Sequence, residues 1–221
     1  MLGGKGIGSV TVAGIAGGSR AHNGENGYRV AQSLPGLAVG AGRAFIVSAG
    51  TTVAEVSLDN LGVTYHSASH PVSLLGRFRS WLEPAADAKL IEGPQRKAIW
   101  LGEGLVAVTG FDYSGSTGQP AGLSLLDTDD WSLREIDEEA GDAVRVGDTL
   151  VAFGADRGLV GYDLIGREVF HVLDDREVDL VETARGLLYV LGRGERRVVV
   201  DAATGHIVGR AKPGFVTILR G

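Results

Sequence analysis

Cysteine is absent from all 221 residues. That one absence excludes disulfides, thiolate zinc sites, iron–sulfur clusters and a cysteine nucleophile together. It leaves localisation unassigned, because a cysteine-free chain is stable in either redox environment. Positive charge is also in deficit, with 21 Lys and Arg against 27 Asp and Glu and a formal net charge of -6. A nucleic-acid partner, which needs clustered cations along a phosphate backbone, is therefore not expected. An anionic membrane surface is disfavoured on the same ground. No run approaches the roughly 18 apolar residues of a membrane span. Lys5 and the segment Gly6–Gly18 follow the charged-then-apolar order of a signal peptide. The segment is rich in glycine and alternates as a strand does, so a strand is the expectation.

Glycine is plentiful, at 35 residues spread along the chain without a three-residue period. Many tight turns follow, and frequent valine between them favours strands over helices. Four segments end in an apolar run that reaches an Asp: Val53–Asp59, Gly122–Asp127, Gly158–Asp163 and Arg197–Asp201. Each is followed by another alternating run, at Gly62–His66, Trp131–Ile136, Arg167–Val172 and His206–Arg210. Each is preceded by two more, the nearer being Ala44–Ser48, Leu105–Thr109, Leu150–Gly154 and Leu187–Leu191. Asp127 to Asp163 is 36 residues and Asp163 to Asp201 is 38, while Asp59 to Asp127 is 68. A period near 40 with four strands per unit, plus one insertion, is the pattern of a propeller blade. The turn Asp accepts hydrogen bonds from N–H groups two residues on, which pins the hairpin.

The stretch Tyr189–Gly214, with its apolar run, Asp201, Thr204-Gly205 turn and following strand, resembles a YVTN-type propeller repeat. Asp201-Ala202-Ala203-Thr204-Gly205 also resembles the core of a PQQ-like (quinoprotein-type) repeat, and the order of segments from about residue 40 onward is similar to bacterial propeller-repeat proteins. The resemblance implies an all-β propeller of four-stranded antiparallel blades. It does not imply the cofactor: Gly209 stands where those repeats place a blade-locking Trp, and the vicinal cysteine pair of such dehydrogenases is missing. No cofactor is expected. No Trp-Asp pair closes a unit, so a WD40 assignment is not supported.

The units expected within one propeller-like domain over residues 1–221 run about 37–66, 98–136, 143–173 and 178–211. Strand fragments are expected within 9–32, at Ser9–Ile15 and Tyr28–Gln32, and at 215–219. A ring of four to five blades, closed by both termini or left open, accommodates them. The insertion at 71–94 places Leu74, Leu75, Phe78, Trp81 and Leu82 on one face of a short helix ended by Pro84. That stripe packs on the ring, or else Leu75, Phe78 and Trp81 dock a protein partner.

Catalytic constellations are missing. No Gly-x-Ser-x-Gly elbow accompanies a strand-to-helix turn, and Gly4-x-Gly6-x-Gly8 has no preceding strand to make it a phosphate loop. His66 and His171 follow their turn Asp by seven and eight residues and should lie on outer strands, facing solvent. His66 and His70 have a metal-binding spacing only on a helix, and this segment reads as strand then loop. Asp127, Asp129 and Asp130 begin like a calcium loop but lack its glycine and distant glutamate, so a solvated turn is expected. Acid clusters at Asp137-Glu138-Glu139 with Asp142, and at Asp174-Asp175 with Glu177 and Asp179, precede two first strands. The long connection Phe111–Pro120 holds Asp112 and Tyr113.

Two readings remain. One is a non-enzymatic scaffold binding a protein or ligand through the helix at 74–82 or a face of the ring. The alternative is a propeller enzyme (hydrolase, lyase or oxidoreductase) using carboxylates at the channel mouth. Carboxylates converging with Tyr113 or Arg157 in one pocket would favour the enzyme.

Overall fold

The alternating runs fold as antiparallel ladders, and among the described residues every regular element is a strand. The computed structural model describes residues 8–15, 17–24, 27–69, 90–114, 117–154, 157–174, 176, 178–192 and 197–211. β1 (Gly18–Gly24) and β2 (Gly27–Ser33) form a hairpin. β3 (Gly36–Gly40), β4 (Arg43–Val47), β5 (Thr52–Ser57) and β6 (Val63–Ser67) form a four-stranded sheet in chain order. β7 (Leu90–Gly102), β8 (Leu105–Ser114), β9 (Thr117–Pro120), β10 (Leu123–Asp127) and β11 (Leu133–Asp137) join the first hairpin in a larger sheet. Its order is β1-β2-β7-β8-β10-β11, with β9 paired to β8. β12 (Asp142–Val146) to β15 (Glu168–Val172), through β13 (Thr149–Gly154) and β14 (Gly158–Asp163), make a second four-stranded sheet. β16 (Val178–Ala184), β17 (Leu187–Gly192), β18 (Arg197–Asp201) and β19 (Ile207–Ala211) make a third.

Two kinds of turn recur because the same backbone problem recurs. A two-residue connection between right-twisted strands needs two left-handed residues, the type I′ geometry. Ala41-Gly42, Glu103-Gly104 and Arg185-Gly186 supply it, with φ of 49° and 71°, 47° and 78°, and 52° and 78°. The carbonyls of these glycines then accept from Leu58, Thr128 and Ala202, at 2.9, 2.8 and 2.9 Å. The hairpins β3–β4, β7–β8 and β16–β17 are thereby tied to the residues that follow β5, β10 and β18.

The turn Asp behaves as its chemistry requires. Asp201 Oδ1 accepts from the N–H groups of Ala203 and Thr204 and from the Thr204 hydroxyl, at 3.1, 3.0 and 2.8 Å. Asp163 Oδ1 accepts from Ile165 N and Arg167 N, and its Oδ2 from Arg167 Nε. Asp127 Oδ1 accepts from Asp129 N at 2.8 Å. Asp59 is not the fourth member of this set. Ser57 ends β5 and receives the turn bond from Leu61 N, so Asp59 stands two residues further on, in the place of Asp129. Asn60 takes over the side-chain capping there by accepting from Gly62 N at 2.8 Å.

Hydrogen bonds hold the Asp163 and Asp201 carboxyls below their ordinary value of 3.8: the Arg167 N–H chiefly in one case, the Thr204 hydroxyl in the other. A lowered folded pKa means stability that is full above the unfolded value and is lost as pH falls through the folded one. Urea midpoints should therefore fall as acid is added below about pH 4. In Asp201→Asn the drop should be shallower, and an unchanged acid limb would contradict this account.

The hairpin β1–β2 does not build a sheet of its own. β2 pairs in parallel with β7, Arg29 opposite Leu90 and Ala31 opposite Glu92, and the chain of β3 to β6 lies between them in sequence. Residues Ser9–Ile15, expected as a strand, carry no strand pairing, and the first strand begins at Gly18 instead. The expected helix at 74–82, with Leu75, Phe78 and Trp81, lies outside the described residues, as does 215–219.

The chain divides into two units, residues 1–108 with 112–118 and 126–134, and residues 109–111 with 119–125 and 135–221. The first has a core of Phe45, Val47, Val53, Val106 and Leu126, with Trp100 and Trp131 packed against it. The second is built on Val151, Leu159, Phe170, Leu188, Val198 and Val200. In β17 and β18 they are the inward members of a period-2 pattern, whereas β13 is buried at all six positions, and this burial supplies most of the driving force for folding.

Candidate functional site

In the second unit, β11 ends on Asp137, whose side chain is only 2% exposed. Its Oδ1 accepts from the N–H groups of Glu139 and Ala140, at 3.0 and 3.1 Å, and from Arg157 Nη1. Its Oδ2 accepts from the Tyr162 hydroxyl at 2.9 Å. Tyr162 is delivered by β14, and Arg157 directly precedes that strand. Burial first, and the Asp137 carboxylate second, push the Tyr162 phenol above its ordinary 10.0, so it stays protonated and donates. Glu139 Oε2 approaches Arg157 Nη1 at 3.7 Å from the solvent side, and His171 Nε2 lies 2.9 Å from the Arg157 carbonyl. Arg157 thus collects a carboxylate, as an enzyme site would require. Three donors converge on Oδ1 and one on Oδ2, so both oxygens of the carboxylate are tied to groups of the protein itself.

The first unit holds a cluster that periodicity did not reveal. Glu55 on β5 accepts from Arg43 Nη1 at 3.2 Å through Oε1, and its Oε2 lies 2.9 Å from His66 Nε2. The His66 ring stacks on Trp131, with centroids 3.5 Å apart and planes 9° from parallel. Phe45 stacks on Trp100 at 5.5 Å and 3°, and Arg43 lies 5.2 Å over the Phe45 ring. His66 is on the last strand of its sheet but does not face solvent: its side chain is 20% exposed, because the Trp131 ring covers it. Trp131 reaches that position from a left-handed residue, φ 63°, at the turn site where Gly205 serves the last sheet. Ser69 holds it, donating N–H to the Trp131 carbonyl and accepting from Leu133 N, both at 2.9 Å.

Asp112 and Tyr113 lie on β8, whose extension with β9 replaces the open connection suggested by their sequence. Asp112 is 57% exposed and pairs with Arg96 Nη2 at 2.8 Å. Tyr113 lies over Gly118, where any Cβ would fall 2.8 Å from its ring. In the acid clusters, Asp142 Oδ1 accepts from Ala143 N, while Asp175 and Glu177 lie outside the described residues. Among the described residues no three His, Asp or Glu side chains gather as a metal site, and no helix is long and apolar enough to cross a membrane.

Apolar side chains are displayed elsewhere. Leu37 and Val39 project from the same face of β3, 60% and 54% exposed, with Ile46 across from Leu37 on β4. A shallow depression on the third four-stranded sheet is lined by Leu180, Glu182, Tyr189, Leu191 and Arg197. Neither surface carries a sequence motif, and only the outward half of the strand alternation marks Leu37, Val39 and Leu180 in advance.

No protein-family model matches the chain, and no curated protein matches it. Solved structures do. The chain is similar to the crystal structure of AztD from Citrobacter koseri, with a TM-score of 0.50 and 15% identity, over 86% of this chain and 53% of that one. It is similar to YCF48 bound to D1 peptide, with a TM-score of 0.47 and 9% identity, over 80% and 53%. It is also similar to BamB from Moraxella catarrhalis, with a TM-score of 0.41 and 12% identity, over 82% and 54%. The chain spans about half the length of each of these structures. The likeness to AztD, joined to the repeated four-stranded antiparallel sheets, shows a β-propeller-type fold.

Proposed function

We propose that the chain is a non-enzymatic propeller-type scaffold that binds a protein or peptide partner through a sheet face. The observation that carries this reading is the exposed apolar strip of Leu37 and Val39 on β3. Large apolar side chains grouped on one face lose water most favourably to a partner. The burial of Asp137 against Arg157, Tyr162 and two backbone N–H groups supports the same reading, since these contacts tie the protein to itself. Asp112, Tyr113 and the stripe Leu75, Phe78 and Trp81 are further contacts within this proposal. The repeats themselves are assigned to the YVTN/PQQ-like type on the pattern of Asp201 to Gly205.

The test is a Leu37→Glu/Val39→Glu variant beside the unmodified chain in chemical cross-linking from a lysate, with melting temperatures recorded for both. Partners cross-linked to the unmodified chain should be lost from the variant, and its melting temperature should stay within a few degrees. Identical cross-linked partners on both proteins would remove the β3 strip from the proposal. Turnover abolished by Arg157→Lys at unchanged stability would favour the enzyme reading instead.

A further inference from the structure

Within each unit, one sheet meets the next by the same device. The sheet β3–β6 turns Phe45, Val47 and Val53 toward Val106 and Leu126 of the sheet that follows it in the chain. The sheet β12–β15 turns Val151, Phe153 and Leu159 toward Leu188, Val198 and Val200 of β16–β19. On each of these faces a ring from the fourth strand lies on a left-handed turn residue of the following sheet. His66 stacks on Trp131, φ 63°. The Phe170 ring lies over Gly205, φ 72°, where an added Cβ would stand 2.5 Å from it.

The sheet β16–β19 repeats this face and leaves it open. By the ladder registers, Tyr189 and Leu191 take the places of Phe45 and Val47 on β4 and of Val151 and Phe153 on β13. Those four counterparts are at most 5% exposed, whereas Tyr189 and Leu191 are half-buried. Leu180, opposite Leu191, shares the face and is 48% exposed. Gly209 stands opposite Val199 on β19, where Phe170 stands opposite Gly161 on β15. An added Cβ there would meet, among the described residues, only Val199 at 3.9 Å. The ring that covers the following sheet is thus missing, and a notch takes its place.

The sheet β3–β6 carries the surface that would fill it. On the face away from Phe45, Leu37, Ile46, Ala54 and Tyr65 form one uncharged row across the four strands. Leu37 is 60% and Tyr65 46% exposed. The turn of this sheet holds Leu61, φ 59°, closed by the same N–H to carbonyl bond as Gly205. Bulk is therefore exchanged between the two sides: Phe170 meets a glycine, and the glycine at 209 has Leu61 to meet. The chain covers 53% of the AztD structure, so a second copy has the length to supply further sheets. We propose that the open face of β16–β19 docks on the exposed face of β3–β6 in a second copy of this chain, with Leu61 seated over Gly209. The inference rests on the reading of the β3 strip as a binding surface and names its occupant.

Sedimentation equilibrium of the purified full chain over a range of concentrations should show self-association. Gly209→Arg fills the notch at a residue with no left-handed backbone and open space above it, so the variant should fold, as its melting curve will establish. This variant and Leu37→Glu/Val39→Glu should each weaken association by about tenfold or more. An equimolar mixture of the two should recover it, because each variant keeps the face that the other has lost. A chain that stays monomeric at every concentration would overturn the inference, as would a mixture that recovers nothing. The β3 reading would survive the first of these if lysate partners are still lost from Leu37→Glu/Val39→Glu. Association that Gly209→Arg abolishes and Leu37→Glu/Val39→Glu spares would remove β3 from both.

Discussion

Asp137→Ala is expected to destabilise the protein by about 3–5 kcal/mol, the usual cost of stripping one partner from a buried ion pair. Four groups lose their acceptor at once: Arg157, the Tyr162 hydroxyl and the N–H groups of Glu139 and Ala140. The guanidinium is the worst placed of them. Its side chain is 13% exposed and its Nε already lacks a partner, so it has little access to replacement water. Urea denaturation followed by circular dichroism gives the loss directly. The doubly substituted Asp137→Ala/Arg157→Ala should lose clearly less than the two single losses combined, because no unpaired charge remains. A single-variant loss below about 1 kcal/mol would show that the tie is dispensable.

Gly158→Ala is the second large effect, for a reason that has nothing to do with charge. Gly158 opens β14 at φ 73°, where an L side chain costs roughly 1–2 kcal/mol. Its Cβ would also stand 2.1 Å from the Leu173 carbonyl oxygen and 2.5 Å from that of Val172. Both obstacles are backbone, fixed by the β14–β15 ladder that pairs Leu159 with Val172, so neither can swing aside. Adding the overpacking penalty, the expected loss is about 3–5 kcal/mol. Gly186→Ala isolates the first part, since φ is 78° there and nothing lies within 4 Å of the added carbon. It should cost only the roughly 1–2 kcal/mol of the left-handed conformation. Equal losses at the two positions would refute the steric half of this argument.

The sheets were legible where one residue type solves a local problem. Asp163 and Asp201 are visible in the sequence because a carboxylate that caps N–H groups two to four residues away leaves a short-range mark. Asp59 misled for the same reason: Ser57 with Asn60 builds an equivalent turn by different chemistry, and the neighbouring Asp is incidental. The first strand is Gly18–Gly24 and not Ser9–Ile15 because GSRAHNG pairs with β2 without an apolar alternation to mark it, while the alternation of Ser9–Ile15 is silent about whether a partner strand is present.

The side-chain clusters were less legible. Arg157 was singled out, yet its partner Asp137 stands 20 residues away and Tyr162 stands 25 from that Asp. Contacts at such separations depend on how strands are laid side by side, which no local pattern encodes. The stack of His66 on Trp131 is more remote still, and it rests on a left-handed tryptophan where glycine would be the expected choice. His66, expected at the surface, is therefore largely covered.

The parallel pairing of β2 with β7 sets an order on how the chain can reach this structure. The sheets β3–β6, β12–β15 and β16–β19 each close through neighbouring hairpins, so every ladder forms across a short loop. Arg29 meets Leu90 only after the whole of β3 to β6 and the segment behind it have been looped out. Closing that long loop yields nothing until the last step, so the hairpin sheets should be fast and the β2–β7 seam late. The seam is then the natural place for a nascent chain to pause, holding an unpaired strand exposed while the next is still being synthesised.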